Sequence, residues 1–146
     1  MMEDEIFKIS KDISRARDLF QISKERLEII EILPKDKTYK IIEEYYEIIL
    51  ELMTVIMYLD GYKTLSHIKV LEYVSKKYDV LSNNQVQIID TLRKFRHGIV
   101  YYGKKVSNEY LINYQEEITK IVKSLDNLVD SKFKNDKTLR WLVALF

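Results

Sequence analysis

The chain has 146 residues, enough for one domain with a sizeable core, and its 47% hydrophobic and 32% charged content is globular rather than disordered. Lys and Arg number 24 against 23 Asp and Glu, so no global field draws the chain to a polyanion and any such binding must come from a local patch. Cysteine is absent, which excludes disulfides, thiolate metal sites and cysteine nucleophiles; one proline and three glycines favour long helices.

The N-terminal MMEDEIFK is acidic with no long apolar run, so it does not read as a signal peptide. Residues Asp4–Leu33 place Ile6, Ile9, Ile13, Ala16, Leu19 or Phe20, Leu27 and Ile30 at helical spacing, which predicts a long amphipathic helix ended by Pro34. Asp36 is a candidate N-cap for a second helix over about Tyr39–Leu59, apolar on most of its circumference and hence the most enclosed member of a bundle. Its Glu43, Glu47 and Glu51 form a narrow stripe expected to face solvent or pair with lysines. With Glu44, these carboxylates argue against a transmembrane segment. The expectation is a soluble, cytoplasmic protein with no membrane partner.

Asp60-Gly61 is a stop signal, and Thr64 or Ser66 is the candidate cap of a third helix to about Tyr78, burying Val70, Leu71 and Val74. Ser82-Asn83-Asn84 opens a fourth helix ending near Gly103, and Ser107 caps a fifth over about Asn108–Val129. That helix carries Leu111, Ile118, Ile121, Val122, Leu125 and Leu128. The last stretch, 132–146, is apolar at Trp141, Leu142, Val143, Leu145 and Phe146 and is expected to dock on the bundle or on a second subunit. Residues 1–146 thus read as one all-α domain, an up-and-down bundle of four to five helices.

The stretch Asp90–Lys105, DTLRKFRHGIVYYGKK, gathers cations, a histidine, tyrosines and two glycines. Leu92, Phe95 and Ile99 keep helical spacing, with the centre of the apolar face set near Phe95 and Ile99. His97 then points away from the core, and Arg93, Arg96, His97 and Val100 share one side. Arginine forks beside an imidazole suit phosphate recognition; the plainer alternative is a solvated basic face. Gly98 inside the helix leaves room for a neighbour's close approach. His67 either bonds the preceding loop or joins the arginine face across the bundle, and Tyr45-Tyr46 and Tyr101-Tyr102 read as half-buried fillers.

Several chemistries lack their residues. A carboxylate-bridged metal bundle needs Glu-x-x-His pairs, but Thr64 and Lys94 stand three before His67 and His97. Two separated histidines without cysteine make a poor zinc site, and no phosphate-cradling glycine loop or Gly-x-Ser-x-Gly elbow occurs. No metal or cofactor is expected. Helix-turn-helix readout of DNA rests only on Asn83, Asn84 and Gln85 and runs against the neutral charge balance.

At LRKFRHGIVYYGKK, with GYKTLSHIKVLEYV one helix earlier, the chain resembles the HEPN superfamily (higher eukaryotes and prokaryotes nucleotide-binding), the likeness spanning about Ile41–Leu128. That resemblance implies a dimeric four- or five-helix bundle with the motif helices of two subunits facing across a cleft. It also implies, for active members, metal-independent endoribonuclease activity, and in many cases a toxin paired with a minimal nucleotidyltransferase antitoxin. Arg96 matches the motif arginine and His97 the polar position, while Tyr101, Tyr102 and Gly103 stand where the later histidine falls. Three readings follow. One is an RNA- or nucleotide-binding module with degenerate catalysis, gripping through Arg93, Arg96 and His97, with Lys104 and Lys105 as further binding residues. Another is an endoribonuclease using Arg96 and His97, with Tyr101 next in line. The third is a structural homodimer that binds a nucleotidyltransferase or other protein. Binding without efficient cleavage is the expected behaviour, because tyrosine is a poor base at neutral pH.

Overall fold

In the computed structural model, which describes residues 5–135, the chain runs β1 (Ile6–Lys8), α1 (Ile13–Ile32), α2 (Thr38–Asp60), β2 (Tyr62–Thr64), α3 (His67–Lys77), α4 (Asn83–Tyr102) and α5 (Asn108–Asn135). Five helices and one two-stranded ribbon make an all-α bundle. α2 is its axis and packs against each of the other four helices. Ile42, Ile48, Ile49, Leu52, Met53, Ile56 and Met57 are all at most 1% exposed, so apolar side chains leave α2 in nearly every direction. Each such burial contributes about 1.5–3 kcal/mol before the entropy of ordering is subtracted.

Pairs of contacts give the helix directions. Arg15 lies over Tyr58 and Arg26 meets Glu44 and Glu51, so α1 is antiparallel to α2. Thr38 meets Asn108, Tyr45 meets Gln115 and Asp60 meets Lys132, so α5 is parallel to α2. Gln85 meets Glu117 and Phe95 meets Tyr110, which sets α4 antiparallel to α5. The four long helices therefore alternate, as expected. The short α3 does not: it starts beside Tyr46 and ends beside Asp60, running the same way as α2. The extended β2 carries the chain back to make this possible.

The expected first helix is shortened. Residues 6–8 form β1, antiparallel to β2 with Ile6 opposite Thr64, Phe7 opposite Lys63 and Lys8 opposite Tyr62. Asp12 accepts from the Arg15 amide at 3.1 Å and so starts α1 after the strand. Leu33 leaves the helix with extended dihedrals, as a residue before proline must. Asp36 is not the second cap: the turn from Pro34 to Lys37 places Lys37 there, with no side-chain cap. Ser66 caps α3, and Ser82 with Gln85 forms a reciprocal capping box on α4. Gly61 and Gly103 end α2 and α4 with φ of 87° and 61°, the left-handed geometry that glycine tolerates.

The acidic stripe departs from expectation at two of its three members, Glu47 and Glu51. Glu51 is buried and bonds Arg26 at 2.7 Å, Glu44 is buried between Arg26 and Lys40, and Glu47 meets Arg96 at 3.2 Å. Arginines from α1 and α4 thus reach Glu51 and Glu47, which were expected to face solvent or pair with lysines, while Glu43 does meet a lysine, Lys40, at 3.9 Å. Tyr45 and Tyr46 are likewise buried rather than half-buried. The expected docking of the final apolar segment lies outside the described residues, except that Lys132–Asn135 continue α5, with Phe133 stacked on Phe20 at 5.8 Å.

Candidate functional site

The core face of α4 is set by Ile88, Ile89 and Leu92, all buried. Phe95 and Ile99, expected at its centre, are only partly buried; Phe95 packs edge-on against Tyr110 at 4.8 Å. This rotation turns Arg93, Arg96 and His97 towards the start of α3. Together with Leu65, Ser66, His67, Ile68 and Tyr101 they line a cleft of about 280 Å³. The parallel course of α3 is what delivers His67 to this level of the bundle.

Each arginine is held by a carboxylate at its Nε: Arg93 by Asp90 at 2.9 Å and Arg96 by Glu47 at 3.2 Å. Among the described residues, neither guanidinium donates a hydrogen bond from its terminal nitrogens, which leaves that edge of each fork for a ligand. Burial works to raise the Asp90 carboxyl, but the Arg93 hydrogen bond and the charges of Arg93 and Lys94 outweigh it and hold Asp90 below the usual range. Asp90 therefore stays ionised and keeps Arg93 oriented. At the other wall, Ser66 Oγ takes the Lys69 amide at 3.2 Å, while the first amides of α3, those of His67 and Ile68, meet no acceptor among the described residues. Free amides at a helix N-terminus favour an anion.

His67 is half-buried, and its Nδ1 lies 2.9 Å from Tyr46 Oη. Burial, then the charge of Arg96, with Arg93 adding and Glu47 opposing, lowers its pKa below the usual imidazole value. Burial pushes Tyr46 up to about 12 despite the two arginines, so its hydroxyl keeps its proton. His97 is exposed, with its ring 4.7 Å from Tyr101 and 5.9 Å from Tyr102. Both tyrosines are exposed rather than half-buried, at 65% and 70%.

Arg93, Arg96, His97 and Tyr101 are thus brought together, and Lys104 and Lys105 are not among them. The two lysines line a second cleft of about 700 Å³ with Lys37, Thr38, Tyr39 and Glu43. Lys104 folds back over Gly98, where an added Cβ would meet Lys104 Cδ at 3.2 Å, so the close approach that Gly98 permits is made by this side chain. Sequence reasoning missed Tyr46 and Glu47 as parts of the site. Nothing local marks Tyr46, whereas Glu47 shows as the middle member of the stripe.

Among the described residues no group of three or more His, Asp and Glu side chains can hold a metal ion, and no helix is long and apolar enough to cross a membrane. No family model, curated protein or solved structure matches this chain.

Proposed function

We propose that this chain binds single-stranded RNA, or a nucleotide presenting the same phosphate chemistry, in the cleft between α3 and α4. The observation that carries this reading is the convergence of Arg93, Arg96, His67 and His97 from two helices on one opening. Two guanidinium edges, two imidazoles and the free amides at the N-terminus of α3 together form a concave surface rich in hydrogen-bond donors for a phosphate group. Exposed Tyr101 and Tyr102 beside it offer ring faces on which bases stack. Lys104 and Lys105 continue the basic surface past the end of α4 and take flanking phosphates.

Fluorescence anisotropy with a labelled oligoribonucleotide tests this. Affinity should fall with salt, with a log–log slope of about −0.7 for each phosphate of a single strand that Arg93, Arg96, Lys104 and Lys105 neutralise. Arg96→Ala should weaken binding by about 1–3 kcal/mol, the scale of a charge-assisted hydrogen bond. Absence of binding at low salt sinks the proposal.

The HEPN-like reading, in which the chain is cytoplasmic, pairs with a second copy and engages a minimal nucleotidyltransferase in a toxin–antitoxin or defence system, draws support from one further observation. Leu65 and Ile68, on the α3 side of the cleft, remain 69% and 50% exposed, an apolar border that a symmetric partner covers. Light scattering should return twice 17.6 kDa at tens of micromolar; the single-chain mass removes the dimer from the proposal.

A further inference from the structure

The donors of the α3–α4 cleft are recessed. The Arg93 and Arg96 side chains are only 27% and 28% exposed and His67 is half-buried, whereas Leu65 before α3 and Tyr101 on α4 stand out into solvent. Behind the donors lie residues of α2: Glu47, which holds Arg96, and buried Tyr46, which meets His67. A phosphate within a strand is tethered on both sides, so reaching donors at this depth bends the chain over both walls. A phosphate at the end of a strand has one tether and enters alone.

The hydrogen-bond polarity of the cleft suits such an end. Among the described residues the Tyr46 hydroxyl has one partner, His67 Nδ1 at 2.9 Å. A buried hydroxyl left without an acceptor is costly, and burial holds the Tyr46 proton in place, so Tyr46 donates to Nδ1. Burial and the charge of Arg96 disfavour the charged imidazole, so His67 is neutral and its Nε2 carries the hydrogen, a donor. It joins the terminal nitrogens of Arg93 and Arg96 and the unpaired amides of His67 and Ile68 around one opening. Asp90 and Glu47 already balance the two guanidinium charges, so the cleft selects by hydrogen bonds more than by net attraction. A phosphate monoester brings three strong acceptor oxygens and a charge of about −1.5 to −2 at pH 7. A phosphodiester brings two non-bridging oxygens and a single charge, too few to satisfy the donors present.

We propose that this cleft reads a phosphate monoester, at the end of an RNA strand or on a mononucleotide, in preference to the phosphodiesters within a strand. His67 is a specificity-determining donor and Tyr46 its positioning residue. This rests on the phosphate-binding reading above. The nucleoside attached to the captured phosphate lies at the mouth of the cleft beside Tyr101, and the phosphates that follow run towards Lys104 and Lys105.

The test titrates the full chain, by anisotropy at one salt concentration, with oligoribonucleotides of one sequence carrying a 5′-phosphate or a 3′-phosphate. Each is labelled at its other end and matched by a hydroxyl-ended control. One phosphorylated end should bind about 10-fold or more tighter than its control, the scale of a charge-assisted hydrogen bond. Unlabelled competitors separate the two sources of the monoester. Displacement by adenosine monophosphate as readily as by the phosphorylated strand assigns the cleft to mononucleotides, and displacement by the strand alone assigns it to RNA ends. Adenosine should displace neither. His67→Ala and Arg96→Ala should each collapse the ratio of phosphate-ended to hydroxyl-ended affinity, with thermal melts near wild type. Tyr46→Phe keeps the buried ring but frees the His67 tautomer and should shrink the ratio by less, and His67→Gln, whose amide still donates, should keep part of it. Equal binding of phosphate and hydroxyl ends by wild type overturns the monoester reading and spares phosphate binding in the cleft. A ratio that His67→Ala and Arg96→Ala leave unchanged places end recognition elsewhere and overturns it as well. Wild type that binds none of the probes overturns both readings.

Discussion

Asp60, the last residue of α2, ties three helices together, and Asp60→Asn is the substitution whose effect on stability follows most directly from the fold. Its carboxylate accepts from Tyr73 Oη at 2.7 Å and from Tyr78 Oη at 2.7 and 2.9 Å, and Lys132 Nζ donates to it from α5. The Asp60 side chain is 7% exposed and that of Lys132 19%. Asparagine keeps the shape but removes the counter-charge and turns one acceptor into a donor facing hydroxyl groups. Removing one member of a buried pair costs about 3–5 kcal/mol. Because Lys132 retains some water, the lower end applies, roughly 3 kcal/mol, which for a chain of this size is on the order of 10 °C in Tm. The pH dependence has a definite sign. Burial acts to raise the Asp60 pKa, but the bonds from Lys132, Tyr78 and Tyr73 outweigh it and hold the carboxyl below the usual range. Such a group adds stability above its unfolded pKa of about 3.9, and loses it as pH falls through the folded value. Urea unfolding of wild type and Asp60→Asn should therefore differ fully at pH 7, and the gap should close below about pH 3.9. A difference under about 1 kcal/mol at pH 7, or one that widens in acid, would refute the reasoning.

Arg26→Met should destabilise by about 3 kcal/mol at pH 7, because it leaves buried Glu44 and Glu51 as neighbouring charges. Glu51 is already pushed up by burial despite Arg26, so the loss should shrink as pH falls from 7 towards 5, read from paired denaturation curves. Gly98→Ala should leave stability level or raise it by up to about 1 kcal/mol, since the flexible Lys104 stem can shift a few tenths of an ångström; a thermal melt decides. In RNA anisotropy, Lys104→Ala with Lys105→Ala should weaken binding less than Arg96→Ala alone, because the lysines line the adjoining cleft. Equal losses would place the phosphate grip across both openings.

Features governed by near neighbours were legible in the sequence. The buried face of α3, Val70, Leu71 and Val74, and the caps at Ser66 and Ser82 depend on spacing within one or two turns. So did the closeness of Arg93, Arg96 and His97 on α4. What periodicity did not carry were events between distant segments. Residues 6–8 are extended because residues 62–64 pair with them, a partner no local window contains. Glu44 and Glu51 could be buried only because Arg26 arrives from α1. His67 enters the cleft because α3 runs parallel to α2, a direction fixed by the ribbon rather than by the composition of α3. The rotation of α4 about Phe95 has the same origin, since Tyr110 on α5 claims that ring.

The β1–β2 ribbon gives three N-terminal residues leverage over chemistry far along the chain. Ile9 donates to Gly61 oxygen at 2.8 Å and Ile6 lies opposite Thr64, so β1 grips both ends of the return path that leads to Ser66 and His67. Thr64 Oγ1 then accepts from the Ser66 amide at 3.2 Å, passing that grip to the residue that caps α3. Trimming residues 6–8 would leave the long helices their core but release the tether that aims His67. A preparation shortened there can melt like the intact chain while its cleft is out of register.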